Sequence, residues 1–233
     1  MFNGKNKAVT FSFDDGVTQD KRLIEILDKY GLKCTFNINS GLLGQPGQLA
    51  LPNGFVPHNK VDPNDVAELY KNHEVAVHTL THPNLTGLGD EEVFRQVEED
   101  RKTLGKLTGR EIVGMAYPCG GVNNDDRVAE IIRKRTGVKY SRTITSTHSF
   151  ELQKNLYRFN PTTHIMETEK AFELAERFIE LKPDSPKLFY IWGHSYEFDI
   201  LGEVDGWRRL EAFCMLISRR ADIFYGTNYE VLL

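Results

Sequence analysis

Of 233 residues only three are cysteines, Cys34, Cys119 and Cys214, and no two share a Cys-x-x-Cys spacing. That suggests neither a disulfide framework nor a thiolate zinc site, and it fits a reducing compartment. Long apolar runs are also missing: nothing approaches the roughly 20 residues that cross a bilayer, so no membrane span is expected. Met1-Phe2-Asn3-Gly4-Lys5 lacks the apolar stretch of a secretory leader. The expected location is therefore cytoplasmic for the chain as given, and secreted or cell-surface if a leader has been removed. Positive charge is not in excess either. A net charge of -4, with lysines and arginines scattered, speaks against a nucleic-acid partner.

With 40% hydrophobic and 27% charged residues, the chain has enough apolar material for a real core and falls in the range of one domain, residues 1–233. Short β-branched runs at 8–13, 34–38, 74–78, 112–117, 139–144, 187–192 and 222–225 read as strands. Between them, 19–30, 64–71, 90–107, 125–136, 167–181 and 206–219 carry apolar residues at helical spacing, as in Leu23, Ile26, Leu27 and Tyr30. The stretch 41–62, rich in Gly, Pro, Asn and Gln, reads as a long loop shaping a groove. Seven strands alternating with helices predict an α/β barrel of parallel strands, with chemistry gathered at the strands' C-terminal ends.

The first strand stops in Asp14-Asp15-Gly16. Adjacent carboxylates at a strand end repel each other and lose solvation, so they call for a cation or a shared proton. Side chains alternate along a strand, and Gly16 permits the turn that would let both acids serve one site. His78-Thr79-Leu80-Thr81-His82-Pro83 follows the third strand. Histidines four apart converge on one ion if the residues between them make a helical turn. Together the two motifs predict a divalent metal with positions left for water and substrate, a catalytic rather than structural site. His58, His73 and His148 are assigned surface or capping roles, and His164 is left outside the site.

These two motifs and the later Trp192-Gly193-His194 run in the order found in the polysaccharide deacetylases, carbohydrate esterases that share the NodB homology domain, and the chain resembles that family from Thr10 to His194. The resemblance implies a distorted (β/α) barrel and one divalent metal, zinc first, with cobalt, nickel or manganese as alternatives. It implies Asp15, His78 and His82 as ligands, Asp14 as general base and His194 as general acid. The family's third motif carries an arginine that orients the base, whereas the matching stretch here is Ala116-Tyr117-Pro118-Cys119-Gly120. Arg142, at the end of the next strand, is the expected substitute. Tyr117, Pro118, Cys119, Trp192 and Trp207 are the expected substrate-side residues.

The expected activity is removal of N-acetyl groups from a carbohydrate substrate, an N-acetylhexosamine glycan of the GlcNAc or MurNAc type. The alternatives are an amide or imide hydrolase acting on a non-sugar substrate, or a catalytically weak carbohydrate-binding homologue.

Overall fold

Lys7–Asp14 is buried at all eight positions, and the sheet grows outward from it. The computed structural model describes residues 2–52 and 54–233. In chain order the elements are β1 (Lys7–Asp14), α1 (Asp20–Lys29), β2 (Cys34–Ile38), β3 (Gln48–Leu51), β4 (Gly54–Pro57), α2 (Val66–Leu69), β5 (Glu74–Val77), α3 (Asp90–Thr108), β6 (Gly114–Ala116), α4 (Asp126–Arg135), β7 (Tyr140–Arg142), β8 (Thr163–His164), α5 (Thr168–Glu180), β9 (Lys187–His194), α6 (Tyr196–Gly202), α7 (Arg209–Ile217), β10 (Ile223–Tyr225) and α8 (Asn228–Leu232).

Seven parallel strands follow the path β7-β6-β5-β2-β1-β9-β8. β10 and β2 share one side of β1, with β10 beside residues 7–9 and β2 beside residues 11–14. Phe159 bridges to Arg142 on β7, and the Thr162 amide donates to Tyr190 on β9. Residues 159–164 thus draw the two ends of the path together, and the sheet curls into the distorted barrel expected from the strand–helix alternation.

Alternation along the strands sorts side chains into two environments. Phe11 and Phe13 of β1 face the helices, where Phe11 meets Phe213 of α7 edge-on at 6.2 Å and Phe13 meets Phe198 of α6 at 6.0 Å. Each fully buried aromatic contributes about 1.5–3 kcal/mol. Thr10, Ser12 and Asp14 occupy the intervening positions and face a polar interior. There Thr10 bonds Asn228, Asn228 bonds Tyr190 of β9, and Asn37 of β2 donates to both Ser12 and Asp14. Buried polar groups are tolerated because they satisfy one another across strands. This ladder leads along the interior to the C-terminal strand ends.

Several elements differ from the sequence reading. The stretch 41–62 is not all loop: β3 and β4 form an antiparallel hairpin, hidden in sequence by its Gly and Pro content. β8, α6 and α8 are too short for periodicity to reveal. The predicted helix over 206–219 enters through a π-helical stretch, Glu203–Arg208, before α7. α3 carries Asp90, Glu91 and Glu92 in its first turn, where carboxylates complement the helix dipole.

Candidate metal and catalytic site

β1 delivers Asp14 and Asp15 to the barrel mouth on a backbone that turns sharply. Asp15 has φ 84° and Gly16 φ 61°, so the chain leaves extended geometry at the second acid. Two further bends lie around the histidines, with Thr79 at φ 68° and His82 at φ 62°. The imidazoles therefore meet through left-handed kinks and not through the helical turn expected from their spacing. Left-handed geometry is costly for a β-branched residue such as Thr79. The Thr79 hydroxyl helps to hold the bend by accepting from the His82 amide at 3.1 Å.

The outcome is a compact donor set. Ligand atoms of Asp15, His78 and His82 all lie within 4.8 Å of one another. Asp15 Oδ1 is 3.8 Å from His78 Nε2 and 3.5 Å from His82 Nε2. His78 Nδ1 donates to the Ala116 carbonyl at 2.9 Å, which leaves the Nε2 lone pair facing Asp15. Burial pushes the His78 pKa down to about 4, against the pull of Asp14, and burial also lowers that of His82. Two neutral imidazoles and an ionised carboxylate fit a divalent cation such as zinc.

Asp14 lies beside this set, with Oδ2 4.0 Å from His78 Nε2. Arg142 reaches it from the end of β7: its NH2 group donates to Oδ1 at 2.6 Å and also to Oδ2. The Arg142 guanidinium stacks 4.4 Å over the Trp192 ring and donates from NH1 to the Thr143 carbonyl. Burial pushes the Asp14 pKa up, but the charges of Arg142, His78 and His194 outweigh it and leave the carboxyl below its ordinary value.

His194 stands directly opposite Asp14 in the β1–β9 register. Glu197, on the first turn of α6, lies 3.3 Å from His194 Nδ1 and 3.2 Å from His164 Nε2, and it accepts from the His194 amide at 2.9 Å. Burial alone would lower the His194 pKa, yet Glu197, followed by Asp14 and Asp15, raises it to about 9.

Asp14, Asp15, His78, His82, Tyr117, Cys119, Trp192, His194 and Tyr196 line a cleft of about 260 Å³ at the barrel mouth. A larger hollow of about 430 Å³ sits at the opposite strand ends beside Lys33, Glu74 and Tyr229, and among the described residues no comparable donor set lies there. Pro118 is not among the cleft-lining residues. Trp207 is a correction: it is buried against Phe198 at 5.1 Å, donates to Asp199 and lies under the Arg22 guanidinium, so its bulk serves packing under α6. His58 and His73, assigned surface or capping roles, both turn inward to a carboxylate. His58 Nε2 lies 3.1 Å from Asp15 Oδ2, and His73 is buried 3.3 Å from Asp28. His148 pairs with Glu167. His164 packs against Trp192 at 4.4 Å beside the cleft. The sequence signal for Glu197 is its position three residues after His194 at a helix start; for His58 it is the shared side of positions 58 and 60 in an extended segment.

Fold and site together define an α/β barrel that carries an acid and histidine donor set at its mouth. The profile of the polysaccharide deacetylase family matches residues 3–140, and the chain belongs to that family. The match contains the acid and histidine motifs and ends before Arg142 and His194. Peptidoglycan-N-acetylglucosamine deacetylase PgdA of Listeria monocytogenes is 28% identical over 130 residues, 54% of this chain and 24% of that protein. The chain thus spans about a quarter of the length of the curated relatives it matches. A mutant of a Bacillus anthracis CE4 family pseudoenzyme with restored enzymatic activity superposes with a TM-score of 0.61 at 18% identity, over 98% of this chain and 68% of that one. The family 4 carbohydrate esterase from Streptomyces lividans in complex with acetate gives 0.57 at 14% identity, over 92% and 89%. Both likenesses concern the fold.

Proposed function

We propose that the chain is a divalent-metal N-deacetylase acting on an N-acetylhexosamine glycan of the GlcNAc or MurNAc type. The observation that carries this reading is the convergence of Asp15, His78 and His82 on one point, beside a carboxylate locked by an arginine and across from His194. The name of the Listeria relative supports the choice of substrate class.

Asp15, His78 and His82 would hold the ion, zinc first, with cobalt, nickel or manganese as alternatives. When bound, such an ion lowers the pKa of a water and polarises a carbonyl. Asp14 takes the proton of the attacking water. Its lowered pKa keeps it ionised and accepting at neutral pH. Arg142 fixes the direction of that carboxylate. The Cys119 backbone N–H is assigned to the developing oxyanion, because such a donor depends on the main chain and not on the side chain. His194 gives its proton to the departing amine nitrogen, which is otherwise a poor leaving group.

Acetate release from chito-oligosaccharides tests the reading. Wild-type protein releases acetate with zinc present, and Asp14→Asn loses about 10²–10⁴-fold in turnover while keeping its zinc. Binding of the glycan without acetate release by the wild type would refute it.

A further inference from the structure

The ligands of the site have outer partners, and for Asp15 that partner comes from outside the two motifs. We propose that His58 is a positioning residue of the metal centre, whose ring N–H holds one oxygen of Asp15 so that the other alone is presented to His78 and His82. The proposal rests on the reading of Asp15, His78 and His82 as metal ligands.

Asp15 uses its two oxygens differently. Oδ2 lies 3.1 Å from His58 Nε2, while Oδ1 lies 3.5 Å from His82 Nε2, 3.8 Å from His78 Nε2 and 3.6 Å from Lys60 Nζ, whose bond goes to the Asp15 main-chain carbonyl. An unsupported carboxylate rotates about its terminal bond and can present either oxygen or both. With its Nε2 protonated, His58 donates to Oδ2, removes that freedom and makes Asp15 a one-oxygen ligand. Ordering is then completed before the ion arrives, which is how outer partners strengthen metal sites.

His58 is itself well held. Its amide donates to the Gly47 carbonyl at 2.8 Å, and a Cβ at Gly47 would come within 2.7 Å of the His58 carbonyl oxygen. Tyr196 meets its ring edge-on at 4.9 Å. Two residues on, Lys60 donates from Nζ to the Asp15 backbone carbonyl at 2.8 Å, and its backbone bridges Val17. Residues 58–60 therefore grip Asp15 at carboxylate and main chain alike. The grip falls where Asp15 needs it, at a left-handed φ of 84°. His78 has an equivalent support in the Ala116 carbonyl.

Zinc alone, titrated into the metal-stripped full chain in competition with a chromogenic chelator, reads the claim without any substrate. His58→Ala is expected to raise the zinc Kd about 10- to 100-fold, with the Tm of the metal-free protein near the wild-type value. His58→Gln, whose amide N–H can replace the donor, is expected to recover most of the loss. Unchanged affinity in His58→Ala, or a glutamine variant as weak as the alanine one, overturns the proposal. So does a metal-free His58→Ala chain that has lost its fold, since the role would then be structural. If the visible spectrum of the cobalt-loaded protein loses a nitrogen ligand in His58→Ala, His58 is a ligand and the positioning role is wrong. A wild-type chain that takes up no zinc overturns the metal reading itself, before any variant is compared.

Discussion

Arg142 donates to both carboxylate oxygens of Asp14 across 128 residues of chain, from the end of β7 to the end of β1. The pair is almost entirely buried: Arg142 is 0% and Asp14 2% exposed, the latter at the floor of the cleft. Removing one member of such a pair leaves a buried charge uncompensated, at about 3–5 kcal/mol.

Arg142→Met keeps most of the side-chain volume and discards the charge and the donors. Its urea unfolding midpoint should fall accordingly, while the acid limb of its kcat/KM profile moves to higher pH, because Asp14 loses the cation that lowers its pKa. Unchanged turnover together with an unchanged pH profile would remove Arg142 from the mechanism.

Glu197 is held at about 2 in spite of its burial by His164 and His194, and in turn it raises His194 to about 9. Glu197→Gln deletes the negative charge, so the imidazolium becomes less stable and its pKa falls. Activity that depends on protonated His194 should then be lost at lower pH than in the wild type. A kcat profile with an unmoved alkaline limb would show that His194 is not the acid, or that Glu197 does not set its charge.

Asp20, buried under the site between Tyr70 and Ser195, is raised to about 7 by burial, against the hydrogen bonds from Ser195 and Tyr70. An unfolded aspartate titrates near about 3.9. Between these values the folded chain keeps a proton that the unfolded chain has released, so the contribution of Asp20 is fully present below about pH 4 and lost as pH rises through about 7. Asp20→Asn, neutral at every pH, should gain stability relative to wild type between pH 5 and pH 8. The gain is on the order of 3 kcal/mol at most. Parallel urea titrations at the two pH values measure it, and an equal difference at both would count against the assignment.

Much of this was legible in the chain. The alternation of apolar runs and helical spacing gives the barrel, and abrupt strand ends at Asp14-Asp15-Gly16 and His78 mark where the acid and histidine motifs converge. Arg142 is legible only as the arginine that ends the next strand: β7 lies four strands from β1 along the path, and it is the curl of the sheet and the length of the guanidinium side chain that bring it to Asp14. The interior is legible too, in hindsight, as polar or aromatic residues at every second position in Thr10-Phe11-Ser12-Phe13-Asp14 and Tyr190-Ile191-Trp192-Gly193-His194. What periodicity does not reveal is contact made by short, irregular segments. The β3–β4 hairpin brings His58 to Asp15, and α6, only seven residues long, brings Glu197 to His194. Trp207 shows the converse: its residue type suits a sugar platform, yet Phe198 and Asp199 claim it for packing.

The central claim is that Asp15, His78 and His82 form one metal site on which deacetylation depends. Acetate release from a chito-oligosaccharide, measured as zinc is added back to metal-stripped protein, tests it most directly. The account predicts no release without metal and a rise that ends at one zinc per chain. Full activity in the stripped protein, or a rise unaffected by His78→Ala, would contradict it.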